Sequence, residues 1–302
     1  MESMIINPRS MDALINLLGD KTGLRFECYR RSFIEKRVKS RLTQIRLNSD
    51  QEYYDYIKAN PSEINKFLND FTVNYTYFFR NIEIFQKIEE LFTLTKKGRS
   101  HLTTKENQYL SKLSIYKKIQ RSLNSVNKLG KLRIWSCACA SGEEPYSLVM
   151  MLNQLKNKID NFPDYEIIAS DIDNKAIKAA EGGIFNEFSL RELTSQDKDE
   201  YFEKINRNQV DEYKIKEDIR KSVEFVEEDV TKGHVKNQKY DIIFCRYLLI
   251  YINKSYYDKL IKVLEDHMAK GGLLILGKTE SISKRKSSFQ LLDGNTQIYI
   301  KK

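Results

Sequence analysis

Histidine is nearly missing from this sequence: three in 302 residues, His101, His234 and His267, with no ligand spacing between them. The four cysteines, Cys28, Cys137, Cys139 and Cys245, lack paired framework spacing. These shortages argue against a structural metal and against a disulfide scaffold, and they point to a reducing compartment. Long apolar runs are missing too. Stretches such as Leu248–Ile252 and Leu273–Leu276 fall far short of the roughly 20 residues that span a bilayer. No basic-then-apolar signal segment opens the chain. The expectation is a cytosolic, metal-free monomer without a transmembrane segment.

What is present is ordinary for a soluble globular protein, with 41% apolar and 31% charged residues. The net charge of +9 is unevenly placed. From Thr93 to Lys131 ten basic residues face one acid, Glu106, an excess equal to that of the whole chain. Such a run reads as a solvated linker or surface helix, or as a contact for nucleic acid or another acidic partner.

Residues 10–92 carry helical periodicity. Leu14, Leu17 and Leu18 recur at helical spacing, and Ile34, Val38, Leu42 and Ile45 form a second stripe. Ser49 and Glu52 stand at capping-box spacing, and another helix is expected behind Pro61. After residue 131 the texture changes. The segments KLRIWSCA, YEIIASDID, VEFVEEDV, YDIIFCRY and GLLILGKTE are short apolar strand candidates, with helical segments between several of them. That alternation predicts βαβ units and a mostly parallel, doubly wound α/β sheet. FQLLDGNTQIYIKK reads as a closing hairpin with its turn at residues 293–295. Residues 184–222 are longer and more polar than a crossover needs, so a small inserted subdomain is expected there.

The stretch RIWSCACASGEEPYS places small residues, a glycine, two glutamates and a proline directly after a strand. In an open parallel sheet that position borders the ligand crevice. The run is not G-x-G-x-x-G and lacks the lysine of a phosphate loop. Two carboxylates at a helix start would repel a pyrophosphate and suit a cationic ligand. The next strand ends at Asp171, where an acid commonly binds ribose hydroxyls. A cation near Glu143 and a ribose near Asp171 together point to S-adenosylmethionine.

These segments, with IIASDID, YDIIFCRYLLIYI, GGLLILGKTES and the N-terminal FTVNYTYFFR, resemble the successive motifs of the chemotaxis receptor methyltransferases, the CheR family. The resemblance covers about residues 10–92 and 131–300. It implies a small all-α domain over 1–92 that docks a receptor and a Rossmann-like class I methyltransferase domain over 132–302; the lysine-rich 93–131 stretch between them reads from its composition as a linker or insertion. It also implies S-adenosylmethionine-dependent methylation of glutamates on chemoreceptor cytoplasmic helices, with S-adenosylhomocysteine as product. The cofactor contacts it implies are Asn74, Thr76, Arg80, Cys137, Glu143, Asp171, Asp229, Val230, Arg246 and Tyr247. Arg80 and Tyr251 are its candidates for orienting the reacting groups. In the helix after Cys28, a 100° step per residue aligns Arg30, Arg37 and Arg41, and the resemblance implies that this row docks the acidic receptor helix. The sequence departs from the family at Tyr247, where an asparagine is usual, at Ser141, where a threonine is usual, and in the length of 93–131. The rival readings are a methyltransferase acting on RNA and a cofactor-binding regulatory module without transfer activity.

Overall fold

The computed structural model describes residues 6–96, 113–114, 130–160, 162–207, 209–233, 236–282 and 287–302. Most of the lysine-rich 93–131 stretch lies outside the described residues. The chain divides into two compact units.

The first unit comprises Met1–Val73, Thr231–Gly233 and Leu248–Leu260. Its helices are α1 (Pro8–Thr22), α2 (Arg31–Ile45), α3 (Asp50–Ala59) and α4 (Glu63–Phe71). Helices α1 and α3 start at side-chain caps. The Asn7 side chain accepts the Arg9 N–H ahead of Pro8, and the Ser49 hydroxyl accepts the Glu52 N–H. Leu14, Leu18, Phe26, Ile34, Val38, Leu42, Tyr53, Phe67 and Phe71 are buried. The 248–260 segment is tied to this bundle: Arg30 N–H donates to the Tyr251 carbonyl at 2.8 Å, and Asn253 N–H donates to the Cys28 carbonyl at 2.7 Å.

Inside the bundle lies a buried ion pair. Arg41 Nε donates to Glu63 Oε1 at 2.7 Å, the Tyr53 hydroxyl donates to the same oxygen at 3.1 Å, and Arg41 Nη1 reaches Asp70 Oδ2 at 3.1 Å. This corrects the expected arginine row. Arg41 is only 6% exposed and faces the bundle interior, Arg30 precedes the helix as its N-cap, and Arg37 lies over the Phe33 ring. A cation drawn beside an apolar stripe on a helical wheel is equally compatible with a buried pair, and the acids of α4 decide the matter. The expected helical run to residue 92 is also broken: residues 72–81 are irregular, with Phe79 and Asn81 at positive φ.

The second unit comprises Asn74–Val230, His234–Tyr247 and Ile261–Lys302. It opens with α5 (Ile82–Lys96) and then alternates: β1 (Leu132–Cys137), α6 (Glu143–Lys158), β2 (Tyr165–Asp171), α7 (Asn174–Gly182). Next come β3 (Ile184–Asn186), α8 (Ser195–Tyr201), β4 (Phe202–Arg207), β5 (Val210–Ile215), α9 (Glu217–Arg220), β6 (Val223–Glu227) and β7 (Tyr240–Cys245). Helix α10 (Lys254–His267) leads into β8 (Met268–Leu276), and the hairpin of β9 (Phe289–Asp293) and β10 (Ile298–Lys301) ends the chain. Seven strands form one sheet in the order β6-β2-β1-β7-β8-β10-β9, parallel from β6 to β8, with β10 antiparallel to both neighbours. Because helices cover the parallel strands, β7 is buried along its whole length and is apolar apart from Asp241, whose Oδ2 accepts the Arg133 N–H at 2.9 Å. The remaining strands form a separate antiparallel sheet, β3-β5-β4. Phe78 seats it on the core, its ring 4.8 Å from Phe185 and 5.1 Å from Phe202.

Replacing Arg41 by Ala strands the Glu63 charge inside the bundle, and breaking a buried pair in this way costs about 3–5 kcal/mol. Urea unfolding of Arg41→Ala is expected to show a loss of that size, with much of it recovered by the double change Arg41→Met, Glu63→Leu.

Candidate functional site

Strand order reverses between β1 and β7, so the carboxyl ends of these strands open a crevice. The loop after β1 is tightly wound: Ala138, Ala140 and Gly142 all have positive φ. At Gly142 (φ 93°) a Cβ would stand 2.7 Å from the Ala180 Cβ, so only glycine fits. The loop is held by Asp171 at the end of β2. Asp171 Oδ2 accepts the Ala140 N–H at 2.8 Å, and Oδ1 accepts the Asp173 N–H at 3.0 Å.

Three carboxylates gather here, each in a different state. Burial pushes Asp171 up from 3.8 to about 6, against the opposing pull of the Asp173 and Ala140 N–H groups. Glu143, the first residue of α6, is buried and accepts the Ser141 hydroxyl at 2.7 Å and the Ser189 hydroxyl at 3.1 Å. Burial raises its pKa as well. Glu144 is ion-paired: its Oε2 receives Arg246 Nη1 at 3.0 Å, and its Oε1 receives the Ser136 hydroxyl at 2.7 Å.

Arg246 follows β7 and is 6% exposed. Its Nη2 donates to the Arg80 carbonyl at 2.7 Å and to Asn81 Oδ1 at 2.6 Å, which fastens the 74–81 segment to the sheet. The Phe79 N–H adds a bond to the Ser147 hydroxyl at 2.9 Å. Asn74 Nδ2 donates to Asp173 Oδ2 at 2.8 Å. The Arg80 guanidinium lies 3.8 Å from the Tyr247 ring centroid and 5.0 Å from that of Tyr75.

Tyr247 is held by three partners. Its ring is occupied by Arg80, its hydroxyl donates to Asn81 Oδ1 at 2.6 Å, and its N–H donates to Glu280 Oε2 at 2.6 Å. Its φ of 59° explains in physical terms why asparagine suits this position, since asparagine tolerates the left-handed region well.

The structure thus joins Asn74, Arg80, Glu143, Asp171, Arg246 and Tyr247 through a few hydrogen bonds and ring contacts within one unit. Thr76 is half-buried on the same segment, and Asp229 and the buried Val230 follow β6. Cys137 is buried against Cys245 of the neighbouring strand; their hydrogen bond and burial hold its thiol well above the usual range. Tyr251 belongs to the first unit, where its ring lies 4.6 Å from Phe33. Sequence reasoning missed Glu144, Asn81, Ser189 and Glu280. The available signals were the second glutamate of the GEEP run, which a buried arginine requires, and the acid just beyond β8.

No group of three or more His, Cys, Asp or Glu among the described residues is arranged to hold a metal, and no helix among them is long and apolar enough to cross a membrane. The chemistry of the donor set fits S-adenosylmethionine. Carboxylates and narrow backbone stand at the strand ends, with no lysine in the loop to receive a phosphate.

A seven-stranded sheet of this order, with an acid after each of its first two strands, defines a Rossmann-like, class I methyltransferase. Residues 103–298 match the CheR methyltransferase, SAM binding domain, and residues 9–72 match the CheR methyltransferase, all-alpha domain. The chain belongs to the CheR methyltransferase family, and S-adenosylmethionine is its cofactor. It is 31% identical to Chemotaxis protein methyltransferase 2 of Vibrio cholerae over 96% of this chain and 92% of that protein. To the chemotaxis protein methyltransferase of Borreliella burgdorferi it is 27% identical, over 93% of this chain and 91% of that one. To the Listeria monocytogenes protein of the same name it is 26% identical, over 92% of each chain.

Between pH about 4 and 6 the folded chain keeps a proton on Asp171 that the unfolded chain has released. Stability therefore falls as pH rises through that window, by about 3 kcal/mol from this group. Urea unfolding at pH 4 and pH 6.5 is expected to show the difference between wild type and Asp171→Asn shifting by about 2 kcal/mol in favour of the variant at the higher pH, since part of the effect is already present at pH 4. A difference that does not move with pH would remove the raised pKa.

Proposed function

We propose that this chain transfers the methyl group of S-adenosylmethionine to glutamate side-chain carboxylates of chemoreceptor cytoplasmic helices, giving methyl esters that serve chemotactic adaptation. The observation that carries the reading is Arg80. Its guanidinium rests on two tyrosine rings and donates to the Tyr75 carbonyl, and among the described residues it has no carboxylate partner. It stands beside the strand ends, ready to meet an anionic acceptor. Membership of a family of chemotaxis methyltransferases supports the same acceptor.

The cofactor supplies, when bound, a methyl group on a positively charged sulfur. A glutamate side chain, which ordinarily titrates at about pH 4.3, is ionised at neutral pH, so no residue of this chain has to remove its proton. Alignment and exclusion of water are what remain to be supplied, because opposite charges are dispersed as the new C–O bond forms. In this reading Asp171 holds the ribose hydroxyls and Glu143 the cationic amino-acid end. Asn74, Thr76, Asp229, Val230 and the backbone of Cys137 line the remainder. Arg246 and Tyr247 act on the cofactor through the 74–81 segment that they fix. Arg80 and Tyr251 orient the acceptor; an arginine too close to the carboxylate would also stabilise its ground state, so Arg80's role is positioning. The helical unit docks the receptor through Arg30 and Arg37, and the chain works as a cytosolic monomer.

Incubation of the full chain with tritiated S-adenosylmethionine and a recombinant chemoreceptor cytoplasmic fragment tests this. Label on the receptor that is released by mild base as a methyl ester is expected. Label on RNA instead, or no label on any substrate despite tight cofactor binding, would contradict it.

A further inference from the structure

Not all the aromatic residues near the 74–81 segment are buried. Tyr75 is 53% exposed and Phe188, on the loop after β3, is 56% exposed, with their ring centroids 6.4 Å apart. Beside them the Arg191 guanidinium lies 4.0 Å from the Phe188 centroid and 3.3 Å from that of Tyr77. Its Nη1 donates to the Phe188 carbonyl at 2.8 Å and its Nη2 to the Tyr75 hydroxyl at 3.3 Å. Arg191 has no carboxylate partner among the described residues. Of the acids on the same loop, Glu187 is ion-paired with Lys198 at 2.5 Å, and Glu192 is exposed and forms no ion pair with Arg191.

A guanidinium has about five N–H donors in a rigid fork, and two of those on Arg191 are in use. The flanking rings fix its plane, which reduces the entropy lost when the remaining donors grip a carboxylate. A purely structural stack would bury its rings, but here two large aromatic faces stay in water beside a cation that lacks a counter-ion. Exposed aromatic surface joined to a preorganised arginine is the composition of interface anchor points. Tyr75 also carries Arg80 on its ring, at 5.0 Å, so the patch is continuous with the candidate site. No lysine belongs to the cluster, whereas a nucleic-acid backbone requires a row of cations. One fixed fork beside apolar surface suits an acidic polypeptide.

We infer that Tyr75, Phe188 and Arg191 form a docking surface for an acidic segment of the protein substrate, with Arg191 holding a carboxylate other than the one that is methylated. The inference rests on the protein-glutamate reading above, and it assigns a specificity contact in the second unit, separate from any in the helical unit.

Receptor methylation kinetics with the full chain, the recombinant receptor fragment and varied salt test this, using Arg191→Glu, Arg191→Lys and Phe188→Ser. Phe188 is more than half exposed, so its change leaves the packing intact; Arg191→Lys keeps the charge at the other position, and S-adenosylhomocysteine calorimetry checks the fold and the cofactor site. Reversing a charge at a docking surface repels an acidic partner, so Arg191→Glu is expected to raise the receptor KM about tenfold with kcat little changed. Arg191→Lys and Phe188→Ser should raise it several-fold, and the salt dependence of KM should flatten in Arg191→Glu. S-adenosylhomocysteine affinity should stay at the wild-type value in all three. Unchanged receptor KM in Arg191→Glu and Phe188→Ser, with the wild type active, would overturn the docking surface alone. Loss of cofactor affinity in parallel with KM would also overturn it, by showing that the patch acts through the cofactor site. A wild-type chain that labels RNA and no receptor would overturn the substrate reading, and this surface with it.

Discussion

Where strand order reverses between β1 and β7, the buried Arg246 guanidinium meets the half-buried Glu144 carboxylate, and the rest of the site is built on that pair. Glu144 takes the Ser136 hydroxyl at the end of β1, and Arg246 reaches over to the Arg80 carbonyl and Asn81. A segment with no regular structure of its own is thereby fixed to the end of the central parallel strand β7. A buried pair of this kind adds little net stability, because desolvation offsets most of its attraction. What it adds is geometry: with either partner removed, the other is an uncompensated charge in the core, so the pair has one acceptable arrangement.

The three neighbouring carboxylates show how position assigns chemistry. Glu144 is neutralised by a cation, Glu143 is buried on two hydroxyls, and Asp171 is buried on two backbone N–H groups with its pKa pushed up to about 6. None of these is an anion-binding arrangement. A ligand bringing positive charge and hydroxyl donors relieves the burial of such acids, and this physical consideration agrees with the cofactor that the family binds. Outside the carboxylates, Arg80 is held by aromatic faces and a carbonyl, a mode of support that leaves its charge available.

The fold was legible in the sequence because strands covered on both sides must be mostly apolar, and YDIIFC and RIWSC are, with Asp241, Arg133 and Ser136 as the exceptions. The segments around them also carry enough motif to place the family. Other features depend on partners distant in sequence. Arg41 pairs with Glu63 and Asp70, 22 and 29 positions away, so helical periodicity alone could not tell a buried cation from a docking one. Tyr247 was legible as an oddity, but its ring follows from Arg80, its hydroxyl from Asn81 and its N–H from Glu280. Tyr251 follows a strand of the sheet in sequence, yet backbone bonds tie its segment to the helical unit instead. In each case the residue type was readable and its partner was not.

The central claim is that the Arg246–Glu144 pair organises the 74–81 segment for cofactor binding. Hydrogen–deuterium exchange of the Phe79–Asn81 amides, read together with S-adenosylhomocysteine affinity in wild type and Glu144→Gln, tests it most directly. The account predicts a folded variant whose amides exchange faster and whose affinity is about tenfold weaker, equivalent to about 1.4 kcal/mol. A folded Glu144→Gln chain with wild-type affinity and equally protected amides would contradict it.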